Sequence, residues 1–117
     1  IGLLSAAVLN LNNMRDRVND KAVGKITLAV RLGFKGAKVY HLMLFVSAYS
    51  LLFAYLILEN RLQLALWVIP IPLFHVLHLI KVFKIKEEVK FDPHLKIVAL
   101  TTFLLSIIFF TLSFLQI

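Results

Sequence analysis

The chain has 117 residues, no cysteine and a formal net charge of +7. Its hydrophobic content of 61% is above the roughly 45–50% of a soluble domain, which argues against a water-soluble globule, and the lack of cysteine excludes disulfides and thiol chemistry. The positive charge lies between apolar stretches, where membrane topology accounts for it, so no nucleic-acid partner is expected.

Residues 1–11, IGLLSAAVLNL, are apolar but cover only about 16 Å at helical rise. They have no basic n-region and no initiator methionine, so they do not look like a signal peptide. They read as the end of a helix that begins upstream, and the chain as the C-terminal piece of something longer. Residues 12–38 are expected to form a polar loop that carries seven of the 13 basic residues: Arg15, Arg17, Lys21, Lys25, Arg31, Lys35 and Lys38. Within it, Thr27 is placed to cap a short helix that Gly33 ends.

Three long runs follow that lack Lys, Arg, Asp and Glu: residues 39–58, 62–80 and 97–117. Each is long enough to cross a hydrocarbon core of about 30 Å as a helix, and in lipid the backbone must satisfy its own hydrogen bonds. The expected fold is an all-α membrane protein with three full transmembrane helices plus the end of a fourth, in one incomplete membrane domain over 1–117. Pro70 and Pro72 should kink the middle span. Asp92 and Pro93 read as the N-cap and first position of the last one. The turn at 59–61 has only Arg61, whereas Lys81, Lys84, Lys86, Lys90 and Lys96 cluster before the last span. Short loops rich in Lys and Arg stay in the cytoplasm, so residues 12–38 and 81–96 are expected there. The 81–90 run could sit in water or against anionic lipid heads.

If the first helix continues past Leu11, then Asn12, Asp16 and Asp20 fall at i, i+4 and i+8 on one face. Two like charges at i, i+4 cost a helix roughly 0.2–0.5 kcal/mol, so something should offset them. Salt bridging works in part: Arg17 reaches Asp20 at i+3, but Asp16 has no basic residue at ±3 or ±4. The other reading is a divalent cation, since Mg²⁺ is commonly held by one or two carboxylates plus phosphate and water, with Lys21, Lys25 and Arg31 supplying charge for the phosphates. Spacing alone leaves both open. His75 and His78 read as packing, hydrogen-bonding or cavity-lining residues, His41 and His94 as interface residues at span edges, Tyr40 as an interfacial anchor, and Tyr49, Tyr55 and Trp67 as packing.

The whole string NNMRDRVNDKAVGKITLAVRLG, residues 12–33, resembles the second aspartate-rich motif of the UbiA superfamily of intramembrane prenyltransferases. It is most similar to the branch acting on 1,4-dihydroxy-2-naphthoate in menaquinone biosynthesis, through Asn12, Asn13, Arg15, Asp16, Asp20, Gly24, Lys25, Thr27, Leu28, Arg31, Leu32 and Gly33. Residues 92–109 also resemble the start of that branch's last span. The resemblance implies a nine-helix bundle in a membrane, the bacterial inner membrane for this branch, with the motif facing the cytoplasm. It implies that Asp16 and Asp20, with Asn12, hold Mg²⁺ against the diphosphate of a polyprenyl donor. Lys25, with Asn13, Arg15, Lys21 and Arg31, would bind the diphosphate. The allylic C–O bond then ionises, the aromatic acceptor attacks and loses its carboxylate, and the apolar spans shelter the carbocation. The family's first motif, NDxxDxxxD, is absent from these residues. The chain is therefore expected to need the N-terminal half of the bundle and to be inactive alone. The rival readings are another aromatic acceptor, or a non-catalytic membrane module with a basic cytoplasmic loop.

Overall fold

Helix α1, Gly2–Ala22, opens the chain because Leu4, Ala7, Leu11 and Met14 form a stripe at helical spacing, and all four are fully buried. The helix does not stop where the apolar sequence stops. Its polar second half stays helical and still has a packed side, since Met14 and, on another face, Asp20 are both buried. The computed structural model describes residues 1–114.

A turn ends α1. Gly24 has φ +76; its N–H donates to the carbonyl of Lys21 at 3.2 Å, and that of Lys25 to the carbonyl of Asp20 at 2.8 Å. This pair of bonds closes the helix end, and the left-handed step favours glycine. Helix α2, Leu28–Leu58, then starts at Thr27, whose hydroxyl accepts from the Val30 N–H at 3.3 Å. Gly33 interrupts it with φ 72 and ψ 177, a backbone region essentially reserved for glycine. The expected loop over 12–38 is therefore corrected: only 23–27 lies outside helix. Polar side chains look like loop in a hydropathy reading, but a helix end needs just one packed face.

After a 3₁₀ turn, Leu62–Leu64, come α3, Ala65–Val68, and α4, Pro70–Lys84. The segments on either side of Pro70 are bent by 50°, as the two prolines lead one to expect. A second 3₁₀ turn, Glu88–Phe91, leads into α5, Asp92–Phe114. Two helical stretches, Leu28–Leu58 and Glu88–Phe114, are long and apolar enough to cross a membrane, and a third if the bent pair counts as one span; α1 does not meet that test. Residues 115–117 of the expected last span lie outside the described residues. Asp92 is already helical, with φ −57 and ψ −46, so it is the first residue of α5 rather than its cap.

The helices form a bundle 50 × 20 × 20 Å, long enough for a hydrocarbon core of about 30 Å. Helix α1 packs on α2, on α5 and on the Glu88–Phe91 turn. Phe91, fully buried, tilts against Phe34 at 5.8 Å between ring centroids. Many large apolar side chains face outward, among them Met43, Leu51, Leu66, Leu73, Leu100 and Phe110. Such a surface suits lipid or further helices, not water.

Candidate functional site

The site is built where the polar half of α1 meets the start of α5. Arg15 is its hub. Its guanidinium donates from Nε to Asp16 Oδ1 at 2.8 Å and from Nη2 to Asp16 Oδ2 at 3.0 Å. Nη2 also reaches Asn12 Oδ1 at 2.8 Å, and Nη1 reaches Asp92 Oδ1 at 2.8 Å. The planar fork of arginine makes this possible. The hydrogen bonds from Arg15 hold the Asp16 carboxyl below its ordinary value, and those to Asp16 and Asp92 push the Arg15 guanidinium upward. Both groups are therefore charged at neutral pH.

Asp20 differs. Its carboxylate is only 8% exposed and accepts from Lys25 Nζ at 3.1 Å. The closure at Gly24 makes that pair, because it turns the chain back over the helix end. The other oxygen, Oδ2, is buried without a hydrogen-bond partner. The sequence pairing of Asp20 with Arg17 is not what forms. Arg17 instead reaches Glu88 Oε1 at 2.6 Å, across 71 residues, while Asp16 finds its partner in the adjacent Arg15, whose long side chain wraps back to it.

The candidate residues thus fall into two sets. Asn12, Arg15, Asp16, Asp20 and Lys25 are brought together by direct hydrogen bonds in two groups. Lys21 and Arg31 are exposed and, among the described residues, make no ion pair. Asn13 is half-buried, next to Asn12 in sequence. Asp92 was legible only as a helix-start residue; nothing in the local pattern places its carboxylate on Arg15.

Asp16, Asp20 and Asn12 together offer hard oxygen donors, the set that suits Mg²⁺. Among the described residues no group of three or more His, Cys, Asp or Glu side chains is placed to hold a metal ion, so water and phosphate would have to complete the shell. The orphaned Asp20 Oδ2 fits such an ion. Asp16 can chelate an ion through both oxygens only if Arg15 gives way, since the guanidinium fork holds that side of the carboxylate.

Behind the polar mouth lies a histidine network. His41 Nε2 meets His78 Nε2 at 3.1 Å, and His78 Nδ1 meets His94 Nδ1 at 3.1 Å, so α2, α4 and α5 are joined. His75 bonds the Tyr49 hydroxyl and Thr101 Oγ1. Packing and hydrogen bonding therefore account for His75 and His78. His41 is fully buried, and its ring finds a partner in His78 inside the bundle. Trp67 is exposed, contrary to the packing role read for it. An apolar groove of about 1000 Å³ runs between α2 and α4, lined by Phe45, Val46, Phe53, Leu79, Ile80 and Phe83 among others.

Residues 1–107 match the UbiA prenyltransferase family. The chain belongs to the UbiA family, and its apolar helices and this membership make it part of an integral membrane protein. It is 36% identical to the 1,4-dihydroxy-2-naphthoate octaprenyltransferase of Haemophilus influenzae over 92% of its own length and 35% of that protein's. It is 51% identical to the enzyme of the same name from Escherichia coli over 40% of its length and 15% of that protein's. The UbiA prenyltransferase domain-containing protein 1 of Dictyostelium discoideum is 38% identical over 74% of the chain and 26% of that protein's length. The chain thus spans about a third of the curated relative it matches over most of its length. No solved structure matches it.

Proposed function

We propose that the full-length protein containing this chain transfers a polyprenyl group from a polyprenyl diphosphate to 1,4-dihydroxy-2-naphthoate, giving demethylmenaquinone. Family membership and the names of the relatives support the reaction class. The observation that carries the site is the buried, unpartnered Asp20 Oδ2 one helical turn beyond Asp16.

In this reading Asp20, Asp16 and Asn12 hold Mg²⁺, which when bound neutralises the diphosphate and eases its departure. Lys21 and Arg31, exposed and uncommitted, add positive charge beside it. Lys25 holds the Asp20 carboxylate in place, and turns toward phosphate when the cation takes over that carboxylate. The apolar groove and helix faces accept the isoprenoid chain and keep water from the allylic cation. The missing partners are an NDxxDxxxD segment and the remaining helices. In this reading the motif side faces the cytoplasm of a bacterial inner membrane; the Lys and Arg distribution supports that orientation.

The test is an assay of the full-length protein with a polyprenyl diphosphate and a panel of aromatic acids, with and without EDTA. Transfer should require divalent cation and favour 1,4-dihydroxy-2-naphthoate. Asp20→Asn should lower turnover at least about a hundredfold, the upper range for groups that merely support a metal ligand, while the protein still inserts and folds. Transfer that survives exhaustive chelation overturns the metal role. Preference for another aromatic acid overturns the acceptor.

A further inference from the structure

We infer that Asp92 is a positioning residue of the site, holding Arg15 so that Asp16 can be released to a cation. The inference rests on the prenyltransferase reading above.

Arg15 has three acidic or amide partners and spends its N–H groups on all of them. Asp16 is gripped through both oxygens by the guanidinium fork, which occupies the chelating side of the carboxylate. For a cation to take Asp16 through both oxygens, Arg15 must let go. A guanidinium that loses its only counter-ion beside a cation would be strongly disfavoured. Asp92 removes that obstacle. It stands 77 residues away in sequence, on a different helix, and accepts from Nη1, a nitrogen that does not touch Asp16. Arg15 can therefore release Nε and Nη2 from Asp16 while Nη1 stays on Asp92. The freed N–H groups then face the site, where a phosphate oxygen can take them. Asp92 is itself well fixed: it follows the buried Phe91 and precedes Pro93, whose ring sets the backbone at the start of α5.

Asp92→Asn keeps the shape and removes the charge. Arg15 then has Asp16 as its sole carboxylate partner and competes harder for it. Exposed ion pairs that can be measured are worth about 0.2–1 kcal/mol, so divalent affinity should fall by about 1.4- to fivefold at roughly 1.36 kcal/mol per tenfold. The probe is Mn²⁺, followed by its electron paramagnetic resonance signal on titration into the full-length protein in detergent, without substrate. Asp92→Glu should restore the wild-type affinity. Arg15→Ala should bind Mn²⁺ more tightly than wild type, because Asp16 is free. In the Arg15→Ala background Asp92→Asn should have no further effect beyond a small loss of nearby negative charge, less than half its effect in the wild type on a logarithmic scale.

Unchanged or tighter Mn²⁺ binding in Asp92→Asn overturns the inference. So does an equal loss in both backgrounds, which would make Asp92 a general source of charge and not a holder of Arg15. If the wild-type protein bound no Mn²⁺, the metal reading of the whole site would fall instead, so the two failures are distinguishable.

Discussion

Arg15 and Asp16 are adjacent in sequence and yet bonded through two parallel N–H···O contacts. The pair has a definite pH signature. The folded pKa of Asp16 lies below its ordinary value, first because of the hydrogen bonds from Arg15. A depressed carboxylate contributes stability that is present above its unfolded pKa and lost as pH falls through its folded one. The contribution should therefore be constant at neutral pH and shrink only in acid. Arg15→Met keeps most of the side-chain length and removes the fork. Its thermal unfolding midpoint in detergent should lie below that of wild type by a fixed amount from pH 8 to pH 5. The gap should narrow below about pH 4, near the unfolded Asp16 pKa. A gap that widens in acid would show that the arginine stabilises something other than this carboxylate. The aspartates themselves were legible from spacing and motif. The distant partners of the two arginines were not, because Arg15 to Asp92 and Arg17 to Glu88 are tertiary contacts and no local rule of i, i+3 or i, i+4 covers them.

The elements carry the motif's glycines for a backbone reason. An added Cβ at Gly24 or Gly33 would meet no atom within 4 Å, so neither is kept small by crowding. Both are at positive φ, Gly24 at +76 and Gly33 at +72. Gly24 turns the chain so that Lys25 meets Asp20; Gly33 bends α2 two residues after Arg31. At Gly33, ψ 177 places the residue where a side chain costs about 1–3 kcal/mol. Gly33→Ala should lower the unfolding midpoint accordingly, or straighten α2 and redirect Arg31. Either change can be read by thermal unfolding together with the accessibility of a cysteine placed at position 31. If both stay at wild-type values, the backbone strain argument fails. The cap at Thr27, the break at Gly33 and the proline bend near Pro70 were all readable, since each depends on local chemistry. The helical state of 12–22 and 34–38 was not, since it depends on packing by Met14, Ala37 and Phe34.

At the scale of the molecule, polar ties join helices whose apolar faces alone would fix no register. The Lys38 amine donates to the carbonyls of Phe83 and Ile85 at the end of α4 and lies 4.3 Å from the Phe34 ring centroid. Three histidines link α2, α4 and α5. Arg17 and Glu88 connect α1 to the turn before α5, each side chain 23% exposed, with Arg17 Nε buried and unpartnered. That last pair is neither a surface salt bridge nor a fully buried one, and the distinction decides its worth. A solvated pair contributes about 0–1 kcal/mol and its partners tolerate separate loss. A desolvated pair behaves asymmetrically: removing one partner strands a charge and costs about 3–5 kcal/mol, whereas replacing both with apolar groups is often neutral or better. The orphaned Arg17 Nε puts this pair nearer the second case, because that nitrogen already lacks water. Glu88→Gln alone should therefore destabilise by about 1–3 kcal/mol, the range for stranding a buried polar group. The double change Arg17→Met with Glu88→Leu should recover most of the loss. Unfolding midpoints of Arg17→Met, Glu88→Leu and the double variant close a cycle that measures this directly as a coupling energy. Additive effects of the two changes would place the pair in open solvent, and Phe91 packing on Phe34 would then have to hold α5 against α1 without its help.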